Sequence, residues 1–101
     1  MPVKCTARER VLTVSLSGEV DHHAAKNIMQ AIDSRIDREL PHSLSVDMSG
    51  VTFMDSSGIA VLLRAHRRMA ALEGRMEVVG VPPQAQRVLR AAGLQRLMTF
   101  R

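Results

Sequence analysis

Hydrophobic positions along the chain change period several times, and each change marks an element. Val11 to Ser17 reads Val-Leu-Thr-Val-Ser-Leu-Ser. The run is β-branched and alternates toward its end, which predicts a strand. Val3 to Ala7 predicts a shorter strand before it, with a turn at Arg8-Glu9-Arg10, and Gly18 closes the second strand. Asp21 stands where a helix N-cap belongs. From Ala24 the apolar residues Ala24, Ile28, Ile32 and Ile36 recur every four positions, with Ala25, Met29 and Ala31 widening the stripe. That is the period of an amphipathic helix with one buried face. It ends near Leu40, because Pro41 cannot continue it and disfavours helix in the residue before.

The alternation resumes in Ser43 to Met48, Ser-Leu-Ser-Val-Asp-Met, which predicts another strand, and Val51 to Asp55 reads as a connecting loop. A second helix is predicted from about Ser56 to Leu72, with Ile59, Leu62, Ala65, Met69 and Leu72 on one face and Gly74 as its stop. Met76 to Val79 is a strand. Pro82 and Pro83 open a third helix, since proline suits a first turn, with Ala85, Val88, Leu89 and Ala92 on its apolar side and Gly93 ending it. Leu97 to Phe100 forms a last short strand. The order β-β-α-β-α-β-α-β predicts an antiparallel first pair. Crossover helices and parallel pairing follow it in one mixed sheet. No repeat, linker or low-complexity tract interrupts residues 1–101, which read as a single domain.

Composition adds limits. Of 101 residues, 46% are hydrophobic and 24% charged, enough apolar surface to exclude disorder. The single Cys5 excludes an internal disulfide and a cysteine-based zinc site. Met1-Pro2-Val3-Lys4 is followed by no apolar leader, and no stretch nears the ~20 apolar residues that span a bilayer. The expectation is a cytoplasmic protein without a membrane partner. The net charge is +4, and its excess lies after Val51: Arg64, Arg67, Arg68, Arg75, Arg87, Arg90, Arg96 and Arg101 face only Asp55, Glu73 and Glu77. With Phe53 and Phe100 the only aromatics, no stacking platform for single strands exists. The arginines are also spread over several elements. Direct nucleic-acid binding is not expected; an acidic protein partner or solvated helix faces account for the charge. The seven methionines are read as core filler.

Two polar clusters carry the candidate chemistry. Phe53-Met54-Asp55-Ser56-Ser57-Gly58-Ile59 joins a strand to a helix. At a helix start, unpaired N–H groups and the positive dipole end favour a covalently held phosphate. Equally, Asp55 or Ser56 is an ordinary N-cap there, with Phe53 and Met54 stapling the connection onto the core. A serine hydrolase would need Ser56 as nucleophile and His22 or His23 as base. No Gly-x-Ser-x-Gly elbow surrounds this serine. Nor is there a glycine-rich phosphate loop, so nucleotide and base for any phosphorylation of Ser56 come from another protein. The second cluster is Gly18-Glu19-Val20-Asp21-His22-His23. Neighbouring side chains on a helix point about 100° apart, so His22 and His23 do not face one metal. Glu19 and Asp21 serve as turn and cap residues, or the cluster shares one exposed rim with Ser56 and faces a partner. His42 and His66 have no companions and are read as surface residues.

Both clusters together, in this order on this β/α pattern, resemble the anti-sigma factor antagonists of the STAS fold, and the paired histidines resemble the sporulation branch. The likeness runs from the first strand to Leu97. It implies one STAS domain, 1–101: a mixed sheet with antiparallel first strands, later parallel strands and helices packed on it. Members usually carry a further helix after the last strand; here the chain stops at Arg101, so that helix is expected to be missing. The resemblance implies that Ser56 is phosphorylated by an anti-sigma factor that is a serine kinase and binds the ATP. The unphosphorylated form binds that kinase and frees a sigma factor, and a separate serine phosphatase resets the switch. It also implies that Asp21, Asp55, Ser56, Ser57, Gly58 and Ile59 form the kinase-facing surface, with no cofactor, no metal and no enzymatic activity of the chain's own. STAS domains associated with transporters share the fold and have no need of a phosphorylatable serine.

Overall fold

Alternating apolar residues in three strands and period-four stripes in the helices need one shared core, and the topology supplies it. A computed structural model describes residues 3–101; Met1 and Pro2, part of the segment in which a leader was sought, lie outside the described residues. The elements are β1 (Val3–Arg8), β2 (Val11–Val20), α1 (His22–Glu39), β3 (Ser43–Met54), α2 (Ser57–Ala71), β4 (Arg75–Val79), α3 (Pro83–Ala91) and β5 (Thr99–Phe100), with a 3-10 turn at Leu94–Arg96. The sheet order is β1-β2-β3-β4-β5. As expected, β1 and β2 pair antiparallel and the remaining pairs are parallel.

Each parallel crossover steps one strand along in the same direction, so right-handed connections bring all three helices to one face. The burial follows. Leu12, Val14, Leu16, Leu44, Val46, Met48 and Val78 are buried toward Ile28, Ile32, Ile36, Leu62 and Met69. The alternate residues Thr13, Ser15, Ser45, Asp47 and Glu77 are half-buried. One row of that other face, Thr6, Thr13, Ser45, Glu77 and Thr99, is polar across all five strands. The shortest dimension, 19 Å, suits one sheet and one helical layer.

Four boundaries differ from the sequence reading. β2 does not close at Gly18: the glycine takes φ 75° inside the strand, and pairing continues to Val20↔Met54. The expected loop Val51 to Asp55 is therefore strand up to Met54. Between Ser15 and Ser17, and again between Gly18 and Glu19, β3 carries one residue more than β2. These bulges change its buried spacing from two to three, through Met48, Val51 and Met54. In α2 the buried residues are Gly58, Val61, Leu62, Ala65 and Met69. Ile59 is only half-buried, and Leu72 lies past the last helical residue, 38% exposed. The final strand shrinks to Thr99–Phe100, and no helix follows it within residues 3–101.

Part of the arginine excess is spent inside the fold. Arg64 reaches Asp33 of α1 at 2.7 Å, and Arg68 pairs with Asp33 and Asp37. Arg101 pairs with Glu77 at 2.6 Å.

After α2 the chain turns through Glu73, a non-glycine residue at φ 57°, whose N–H donates to the Ala70 carbonyl at 3.0 Å. Holding an L-residue left-handed costs about 1–2 kcal/mol, and glycine is the ordinary occupant of such a turn. Glu73→Gly is expected to raise the melting temperature by about 4 °C, the entropy of a freer unfolded chain offsetting part of the relief. Thermal melting by circular dichroism checks this; an unchanged or lower midpoint would show that the turn is not strained.

Candidate functional site

The parallel strands β2 and β3 end together, so the segments leaving them meet. Val20 pairs with Met54, and the Asp55 N–H donates to the Val20 carbonyl at 3.3 Å. From this edge one segment starts α1 through Asp21 and the other starts α2 through Asp55 and Ser56. The sequence placed both clusters on one rim, and the structure brings them together. Such an edge, at the carboxyl ends of parallel strands, is where α/β sheets commonly carry their sites.

The cap chemistry separates two residues that the sequence left as alternatives. Asp21 caps α1, accepting the Ala24 N–H at 3.0 Å. At α2 the capping side chain is Asp55, whose Oδ1 accepts the Ser57 N–H at 2.8 Å. Ser56 has helical backbone angles and makes no side-chain cap bond; its side chain is exposed. The expectation that free N–H groups here await a phosphate needs correction. The Gly58 N–H donates to the Asp55 carbonyl at 3.0 Å and the Ile59 N–H to the Ser56 carbonyl at 3.1 Å. With the Ser57 N–H taken as well, the N–H groups of Ser57, Gly58 and Ile59 are all engaged.

Asp55 also accepts the His22 N–H on Oδ2 at 3.2 Å. The Ser57 N–H, with a smaller contribution from His22, holds its carboxyl below the usual aspartate range. It is anionic at neutral pH, so Asp21 and Asp55 together make an acidic rim.

The other site residues divide by depth. Ser57 is half-exposed, Gly58 is buried and Ile59 is half-buried against the core. A Cβ on Gly58 would stand 2.5–2.6 Å from three atoms of the Met54 side chain. Gly58 therefore supports the rim from beneath. Of the expected staple only Met54 turns inward, 1% exposed, whereas Phe53 is 44% exposed. His22 and His23 are exposed, their rings 5.8 Å apart and edge to face. Among the described residues no group of His, Cys, Asp or Glu is arranged to hold a metal.

Sequence reasoning missed Gln84. From the first turn of α3 its side-chain carbonyl accepts the Met54 N–H at 2.9 Å and its amide donates to the Met54 carbonyl at 2.8 Å. It completes the pairing of β3 beyond the end of β4. The partners are 30 residues apart, and nothing local marks a glutamine after two prolines for that task.

The larger surface depressions lie elsewhere. One of about 420 Å³ is lined by Val11, Ser43, Ser45, Arg75, Glu77 and Thr99, at the opposite end of the strands.

This fold and rim define a STAS domain, and the chain belongs to that family, whose profile matches residues 3–101. Among its relatives is the anti-sigma F factor antagonist of Paenibacillus polymyxa, 35% identical over 88 residues that make up 87% of this chain and 75% of that protein. Among solved structures, the anti-sigma factor antagonist SpoIIAA in its unphosphorylated form superposes with a TM-score of 0.85 at 27% identity, over 98% of this chain and 87% of that one. The phosphorylated form of the Bacillus cell fate determinant SpoIIAA superposes with a TM-score of 0.76 at 26% identity, over 98% and 90% of the two chains. No helix among the described residues is long and apolar enough to cross a membrane.

Proposed function

We propose that this chain is an anti-sigma factor antagonist whose switch is Ser56. Unphosphorylated, it binds an anti-sigma factor that is also an ATP-binding serine kinase, and a sigma factor is released to direct sporulation transcription. The kinase then transfers phosphate to Ser56: its Oγ attacks the γ-phosphorus of ATP, ADP leaves, and a base on the kinase takes the hydroxyl proton. The phosphorylated form is released, and a separate serine phosphatase hydrolyses the ester to restore binding. All of this takes place in the cytoplasm, where the kinase finds its ATP. The chain itself supplies no catalytic group.

One observation carries this reading: Asp55 performs the capping and leaves the exposed Ser56 hydroxyl uncommitted at the head of α2. The relatives named as anti-sigma F factor antagonists, and the existence of a phosphorylated and an unphosphorylated SpoIIAA, support it. The binding surface is Asp21, Asp55, Ser56 and Ser57, with Gly58 and Ile59 shaping it from below. Mass spectrometry after incubation with the kinase and ATP tests the assignment. Phosphate on Ser56 is expected; phosphate confined to Ser57 would move the switch by one residue and end this reading.

Asp21 separates capping from recognition. Asp21→Ala removes the acceptor for the Ala24 N–H and is expected to cost about 0.5–2 kcal/mol. Asp21→Asn keeps a good cap and removes only the charge. The expected result is a normal melting temperature for Asp21→Asn with slower phosphorylation by the kinase. Wild-type kinetics would reduce Asp21 to a cap.

A further inference from the structure

We propose that Asp55 is a positioning residue that braces the starts of α1 and α2 into one surface, and that a phosphate on Ser56 acts on α1 through it. The second clause rests on the reading of Ser56 given above; the first does not. A single carboxylate accepts from two helices: Oδ1 from the Ser57 N–H of α2 at 2.8 Å and Oδ2 from the His22 N–H of α1 at 3.2 Å. Its own N–H reaches back to the Val20 carbonyl, so the residue grips the approach to α1 by main chain and side chain alike.

The geometry makes this brace specific. His22 is the first residue of α1, and a first-turn N–H has no acceptor within its own helix. Asp21 is not its partner: that side chain accepts the Ala24 N–H further into the same helix. The other polar ties between these helices, from Asp33 and Asp37 to Arg64 and Arg68, lie about 16–22 Å further along α1 at 1.5 Å per residue. At the rim it is Asp55 that fixes where α1 begins relative to Ser56. A phosphate on the adjacent residue adds about −1.5 to −2 charges. It repels the carboxylate and competes with it for the Ser57 N–H. A displaced Asp55 frees the His22 N–H, and Asp21 and His22 loosen while the helices behind them stay in place.

Water-exchange NMR on the free protein reads this at one atom, the His22 amide, with the Ile28 and Ile32 amides inside α1 as controls. Asp55→Asn keeps one acceptor oxygen and turns an N–H₂ toward the other donor. It is expected to speed His22 exchange about tenfold, the effect of losing a hydrogen bond to a charged group, with both controls unchanged. Ser56→Asp, which leaves Asp55 in place, is expected to speed it about threefold through charge repulsion across a few ångströms. An unchanged His22 amide in a folded Asp55→Asn protein would overturn the brace. An unchanged amide in Ser56→Asp would overturn the relay. If Asp55→Asn does not fold, Asp55→Ser takes its place: its short hydroxyl can still accept the Ser57 N–H but cannot span to α1, so the same faster His22 exchange is expected, and an unchanged amide would overturn the brace. None of these measurements needs the kinase. Failure of the wild-type chain to bind it would end the functional reading and leave the brace standing.

Discussion

Ser56→Asp is expected to weaken binding of the anti-sigma kinase at least about tenfold, a difference of about 1.4 kcal/mol, while the melting temperature stays within about 2 °C of wild type. The two halves of this result have separate causes. At the interface, the rim already holds the anionic Asp55 and the exposed edge of Asp21, and a further negative charge crowded beside them repels both and must be stripped of water on docking. Within the fold, Ser56 makes no capping bond, so nothing structural is lost on replacing it. A negative charge at a helix start is also mildly favoured by the dipole. Ser56→Ala should block phosphorylation, bind like wild type and melt like wild type. A capping serine would instead lose about 0.5–2 kcal/mol on that change. Calorimetry with the kinase and thermal melting give both numbers. Tight binding by Ser56→Asp would show that charge does not operate the switch.

Gly58→Val is expected to destabilise the fold from beneath the rim. The new Cβ would fall 2.5–2.6 Å from the Met54 side chain. Met54 is almost fully buried and its main chain is clasped by Gln84. The clash includes Met54 Cγ, near the backbone, so rotating the far end of the side chain does not clear it. Overpacking of this kind costs about 1–3 kcal/mol, which predicts a fall in melting temperature of about 10 °C. Met54→Ala alone should cost about 2–5 kcal/mol through the cavity it leaves. Combined with Gly58→Val it should cost clearly less than the sum, since valine fills space that Met54 has vacated. Melting all four proteins completes the cycle; strict additivity would show that the two residues do not share one packing site.

Most of the architecture was legible because its signals are local. Pro41 and the stripe Ile28, Ile32 and Ile36 define α1, and Pro82 with Pro83 opens α3. The second half of β3 was not legible. Its bulges shift the buried residues to a spacing of three, and a reading tuned to period two stops at Met48. The rim was visible as two polar clusters, and Asp21 as a cap, because a cap is chosen by its neighbours three residues away. The division of labour between Asp55 and Ser56 was hidden, since both are good caps and only backbone angles decide which one turns inward. Gln84 was hidden for a different reason: its partner is across the fold.

The strand order has a consequence for synthesis. Every pairing joins strands consecutive in the chain, so no strand waits for a later one before it can dock. As the chain emerges at ~5–20 residues per second, the hairpin of β1 and β2 can close first, then α1 and β3 add, then α2 and β4. The sheet thus grows at a single advancing edge, and unpaired strand surface never exceeds one strand's length on that side. β5 arrives last and contributes only two register pairs, Glu77↔Thr99 and Val78↔Phe100. A ribosome that has released only the residues up to β4 already presents Asp21, Asp55 and Ser56 just past the ends of their finished strands, with the Gln84 clasp on Met54 still to come.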